Sequence, residues 1–144
     1  MNKKLTINII IVVIMVISIV SIYLYKTKSS KSEDVDVVKV ENSTTKQLEQ
    51  SLENNNITMV QFTTPTCINC KEMEPTMNNI YSKYGKKSNI LVIDLMSELD
   101  LSKKYNIMYV PTQIFFDSKG KAVFRNVGKM SAEQIEQKLK ELGV

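Results

Sequence analysis

The sequence predicts an α/β protein with a central mixed β-sheet flanked by helices, preceded by one N-terminal transmembrane helix. Three observations carry that prediction. From about residue 36 onward, short apolar β-branched runs alternate with longer stretches of helical periodicity. Residues 5–25 form an apolar run without a charged side chain. The two cysteines, Cys67 and Cys70, sit where a strand-like run passes into a helical stretch.

The N-terminal run comes first. From Leu5 to Tyr25 most positions are Ile, Val, Leu or Met. At 1.5 Å per residue it spans about 31 Å as a helix, enough for a hydrocarbon core of about 30 Å. Lys3 and Lys4 precede it, and Tyr23 and Tyr25 stand near its far end, as interfacial aromatics do. A cleaved signal peptide has a shorter apolar core and a small-residue cleavage site. This run is longer and no Ala-x-Ala follows, so an uncleaved anchor over residues 1–25 is expected. Lys26, Lys28 and Lys31 on the other flank nearly balance the positive-inside signal. The short lysine-tipped N-terminus places the remainder of the chain on the extracytoplasmic side, a single-pass protein of the cell membrane in contact with the bilayer through its first helix.

The charge pattern argues against nucleic acid as a partner. The chain is formally +4, but five of its 19 basic residues lie in positions 1–31, where there is no acidic residue. Residues 32–144 hold 14 basic and 15 acidic side chains. That near-neutral mixture offers no basic face for DNA or RNA. Lys-, Asn- and Ile-rich usage with few cysteines hints at an AT-rich bacterial source.

Residues 26–35 read as a polar linker without apolar periodicity. The domain is then residues 36–144, large enough to bury a core without disulfide staples. Val35 to Val40 predicts a first strand. Ser43 to Asn54 predicts a helix capped by Ser43 or Thr44, with Leu48 and Leu52 on one face. Residues 57–63 predict a central strand, because polar alternation is weak there. Ile68 to Tyr84 predicts a helix kinked by Pro75. Asn89 to Leu95 predicts a buried strand, and Ser97 to Tyr105 a short helix capped by Ser97. Gln113 to Phe116 and Lys121 to Val127 predict two strands joined by the turn Asp117-Ser118-Lys119-Gly120. Gly128 ends the second strand, and Ser131 to Leu142 predicts the closing helix. The order is β-α-β-α-β-α-β-β-α.

The chemistry lies in Cys67-Ile68-Asn69-Cys70. A thiol at a helix start faces unpaired N–H groups that favour thiolate. A second thiol one turn along can attack a mixed disulfide formed by the first, which is the minimum for reversible thiol–disulfide exchange. Structural zinc is disfavoured, because a closed tetrahedral site needs four ligands and the chain has two cysteines and no histidine. A purely structural disulfide would close a very short loop and add little.

These elements together resemble the thioredoxin family. The resemblance rests on the strand–CxxC–helix unit and on Pro75 five residues past Cys70. It also rests on Val110-Pro111-Thr112 ahead of a β-hairpin, on Gly128, and on the amphipathic last helix. It covers about residues 36–144. It implies a thioredoxin-like fold and a thiol–disulfide oxidoreductase acting on protein thiols and disulfides, with neither cofactor nor metal. It implies Cys67 as the exposed nucleophile, with a pKa below that of an ordinary cysteine, and Cys70 as the buried resolving thiol. It implies a cis Pro111 packed against the pair. The Val110 backbone would take an extended substrate segment as an added strand, with Thr66 beside it and Ile107, Met108 and Tyr109 extending the apolar surface. The alternative for Met108 is ordinary loop packing. A tethered oxidoreductase outside the cytoplasm would draw electrons from a membrane thiol transporter, or need a reoxidant.

Several positions depart from that family's pattern. Thr66 stands where Trp is usual, and Ile68-Asn69 where Gly-Pro is usual. Gln61 replaces a buried acid and Val92 its accompanying lysine. Gln61 cannot take a proton as a carboxylate can. Glu72 and Glu74 are close in sequence but read as a solvated helix face, and Asp94 is a weak substitute at a strand end. Two other classes stay open at this point. One is a binding module that holds a partner without turnover. The other is a soft-metal chaperone using two thiolates, which leaves the Pro111 segment unexplained.

Overall fold

The computed structural model describes residues 11–22 and 39–144. They fall into two units divided between Val37 and Val38, each described by itself. In the first, residues 11–22 form a helix, α1, whose apolar side chains are exposed. No helix among the described residues is long and apolar enough to cross a membrane. The other positions of the expected span, 5–10 and 23–25, lie outside the described residues, as do the linker 26–35 and Val35 to Val38.

In the second unit, α2 (Thr45–Glu53) opens with a capping box. The Thr44 hydroxyl accepts the Gln47 N–H while the Gln47 side chain accepts the Thr44 N–H. Strand β1 (Thr58–Thr63) follows, then α3 (Ile68–Glu72), α4 (Glu74–Tyr84), β2 (Asn89–Asp94) and α5 (Leu99–Lys104). The chain ends with β3 (Thr112–Phe116), β4 (Ala122–Val127) and α6 (Ala132–Glu141). A second capping box, Ser131 with Gln134, starts α6.

The strands run in the order β2-β1-β3-β4. β1 pairs parallel with β2 and antiparallel with β3, and β3 pairs antiparallel with β4. The two central strands are buried almost throughout, while β4 at the edge is mostly exposed. This explains the weak alternation of residues 57–63, because both faces are covered. Met59, Met77, Ile80, Phe115, Ile135 and Leu139 pack on the face carrying α4 and α6. Leu48, Val60, Phe62, Leu101, Ile114 and Phe116 pack on the face carrying α2 and α5. At the β3–β4 turn Gly120 has φ +73°, and a Cβ there would lie 2.8 Å from the Leu52 carbonyl oxygen, so glycine is required.

Three expectations need correction. Lys39 and Val40 are not strand. The Asn78 side chain takes the Val40 N–H at 3.0 Å, and only an isolated bridge, Asn42 to Val92, reaches the sheet. The single kinked helix from Ile68 to Tyr84 is two helices. Pro75 has no N–H for the Lys71 carbonyl, which accepts from Met73 instead, and Met73 both ends α3 and precedes α4. Ser97 does not cap α5, because it lies in a turn whose Ser97 and Glu98 N–H groups donate to the Asp94 carbonyl. Asp94 Oδ1 accepts the Met96 N–H at 2.9 Å, and the residue before α5 is Glu98.

Candidate active site

β1 delivers the chain to the site. After Thr63 it turns through Thr64-Pro65-Thr66, where the Thr64 carbonyl accepts the Cys67 N–H at 3.2 Å. Cys67 is the residue before α3, in extended backbone, and its Sγ accepts the Cys70 N–H at 3.1 Å. A five-residue helix has only a small dipole, so this single N–H is the donor that matters. A hydrogen bond to sulfur favours its ionised form. Cys67 is half-buried and Cys70 is only 3% exposed. The two are joined as a disulfide with Cα atoms 5.2 Å apart, an ordinary separation for a bridge.

The Val110–Pro111 peptide is cis, as the resemblance implied. Thr112 lies opposite Phe62 in the β1–β3 register, so Val110 and Pro111 emerge at the sheet end where β1 runs on to Cys67. Pairing of β3 begins at Thr112, which leaves Val110 ahead of the ladder. Pro111 is buried and Val110 half-buried. Arg125 fastens the start of this loop by donating to the carbonyls of Tyr105 and Asn106. Met108 and Tyr109 stand out from it, 75% and 69% exposed, so Met108 is not loop packing. Ile68, beside Cys67, is 73% exposed, and Thr66 is exposed too. Ile107 turns inward against the core of the α2 and α5 face.

Gln61 lies under the disulfide side of the sheet, 2% exposed. The Gln113 side-chain amide donates to Gln61 Oε1 at 3.4 Å and reaches Met73 Sδ at 3.5 Å. Gln113 Oε1 accepts from Asn126, which also donates to the Gly128 carbonyl. The Gly128 N–H in turn donates to the Pro111 carbonyl at 2.8 Å. Met73 closes the circuit, because its N–H donates to the Cys70 carbonyl. A row of neutral amides thus runs from the resolving-cysteine helix to the proline loop. Gln113 and Asn126 were not singled out from the sequence. The available signal was a glutamine inside an otherwise apolar strand, whereas Gln61 was marked by its place in the family pattern. Val92 faces Gln61 in register, so no cation replaces the usual lysine there. Glu72 is a surface residue paired with Lys129 at 2.7 Å, and Glu74 is exposed, as a solvated helix face requires.

The thioredoxin family model matches residues 36–141. The chain belongs to the thioredoxin family. A thioredoxin of Staphylococcus saprophyticus is 29% identical over 101 residues, covering 70% of this chain and 92% of that one. Thioredoxin-1 of Drosophila melanogaster is 30% identical over 78 residues, 54% of this chain and 71% of its own. Among solved structures, thioredoxin NaTrxh from Nicotiana alata superposes with a TM-score of 0.60 at 27% identity, covering 67% of this chain and 81% of that one. The family membership and the paired cysteines make this chain a thiol–disulfide oxidoreductase.

Proposed function

We propose that this thioredoxin-family protein is a membrane-tethered oxidoreductase that exchanges disulfides in protein substrates on the extracytoplasmic side. The observation that carries the catalytic part is the asymmetry of the pair. Cys67 is reachable and accepts a backbone N–H, while Cys70 is buried behind it. Cys67 attacks the substrate, Cys70 resolves the mixed disulfide, and Thr66, Val110 and Pro111 hold the substrate segment. The uncharged run over residues 5–25 supports the tether.

Two measurements test this reading. The full-length chain is equilibrated in glutathione buffers and its dithiol followed. A potential near about −270 mV, as in thioredoxin itself, makes it a reductant fed by a membrane thiol transporter. One near about −120 mV makes it an oxidant. A pair that does not exchange at all leaves only a binding module. For the tether, protease added to intact cells is expected to remove the domain while the N-terminal segment stays in the membrane fraction. Full protection of the domain would place it inside, and a mature N-terminus near Ser21 or Lys26 would show a cleaved leader instead.

A further inference from the structure

Beside Cys70 the domain carries a partly open cavity of about 410 Å³. Cys70 lines it, together with Gln61, Val92 and Asp94 from the sheet. The remaining charged groups facing it are Lys39 and Glu41 from the segment before α2, Lys71 of α3 and Glu74 of α4. Its lining is polar and apolar in about equal parts, and it has room for on the order of ten waters.

We propose that Asp94 accepts the Cys70 proton, through water in this cavity, when Cys70 attacks the mixed disulfide. This rests on the oxidoreductase reading above. Gln61 is opposite Val92 and Thr63 is opposite Asp94 in the parallel β1–β2 register. Asp94 therefore lies on the same face of the sheet as Gln61, one strand across and two residues along, about 8 Å away by sheet spacings. Cys70 and Asp94 line the same cavity, so water within it can join them. Asp94 is 8% exposed, whereas Glu41 and Glu74 are open to solvent. Its carboxylate is held in place by the Met96 N–H at 2.9 Å, with the Ser97 hydroxyl 3.5 Å from the other oxygen. Gln61, which also lines the cavity, carries an amide and takes no proton.

The step balances as follows. The Cys70 S–H bond breaks and its proton passes to the Asp94 carboxylate. The electron pair left on Cys70 Sγ forms the bond to Cys67 Sγ. The bond from Cys67 to the substrate sulfur breaks, and the substrate leaves as thiolate. The protein dithiol is oxidised by two electrons and the substrate disulfide is reduced. Asp94 then returns the proton to solvent. Asp94 acts through water and positions the proton path; it does not touch the reacting sulfurs.

The test uses reduced full-length protein and 5,5′-dithiobis(2-nitrobenzoate) in stopped flow. Attack by Cys67 releases one nitrothiobenzoate and resolution by Cys70 releases the second. Asp94→Asn keeps an acceptor for the Met96 N–H. It is expected to slow the second release about tenfold near pH 7 and leave the first unchanged. The deficit should close as pH rises and Cys70 ionises unaided. Gln61→Asp placed in the Asp94→Asn chain should restore the second release, and Glu74→Gln alone should leave it untouched. If Asp94→Asn does not fold, as circular dichroism would show, Asp94→Ser with acetate rescue replaces it, and acetate must then accelerate the second release. A second release equal to that of the parent across the pH series overturns the proposal, as does equal slowing by Glu74→Gln or failure of acetate rescue. A parent chain that releases no thiol at all would instead overturn the oxidoreductase reading.

Discussion

Cys67→Ser is expected to reduce a protein disulfide no faster than buffer thiols do, whereas Cys70→Ser is expected to accumulate protein covalently joined to its substrate. The difference follows from position. Cys67 is the more accessible of the two and its sulfur accepts the Cys70 N–H, which supports its proposed role as the thiol that meets substrate. Cys70 is nearly sealed from solvent and can attack only what is already attached to Cys67. Without Cys70 the mixed disulfide has no internal route of release. Non-reducing electrophoresis after acid quenching reads both outcomes. Substrate trapped by Cys67→Ser and not by Cys70→Ser would reverse the two roles.

The second large effect concerns stability. Phe115 is fully buried at the centre of β3 and meets Phe124 edge to face at 5.6 Å. Phe115→Ala removes a ring from the core shared with α4 and α6 and leaves a cavity that rigid neighbours fill poorly. The expected cost is about 3–5 kcal/mol. With a urea slope of about 1–3 kcal/mol/M, the unfolding midpoint falls by roughly 1–5 M. The Phe115→Ala chain that remains folded should still exchange disulfides, because Phe115 does not line the cavity behind Cys70. A midpoint shift below about 0.3 M would mean that the surrounding methionines collapse into the space.

Local chemistry made much of this legible in advance. Thr44 and Ser131 each carry a glutamine three residues on, and both caps form as capping boxes. The Asp117–Gly120 turn and the cis Val110–Pro111 bond also match the reading, the latter through family likeness alone, since spacing by itself favours a trans bond. What failed depended on competition between neighbours. Ser97 looked like a cap, but its N–H and that of Glu98 donate to the Asp94 carbonyl in a turn, and the helix starts one residue later, after Glu98. Lys39 and Val40 had strand character, but the Asn78 side chain claims the Val40 N–H. The amide row and the cavity were invisible because they need the β1–β3 and β1–β2 registers. Only with those in hand does Gln61 meet Gln113 on one side and Val92 on the other.

The amide row also bears on how a partner is met. The two segments that would hold a substrate, the start of α3 and the loop ending at Pro111, belong to different elements and could drift apart. Met73, Gln113, Asn126 and Gly128 link them through hydrogen bonds that are largely shielded from water. Such bonds are costly to break without replacement. The spacing between the attacking sulfur and the strand-like edge at Val110 is therefore set before any partner arrives. An incoming extended segment loses its own freedom on docking but imposes little ordering on the protein, and association keeps more of its contact energy. Because every member of the row is uncharged, none of its hydrogen bonds depends on the ionisation of a side chain within it.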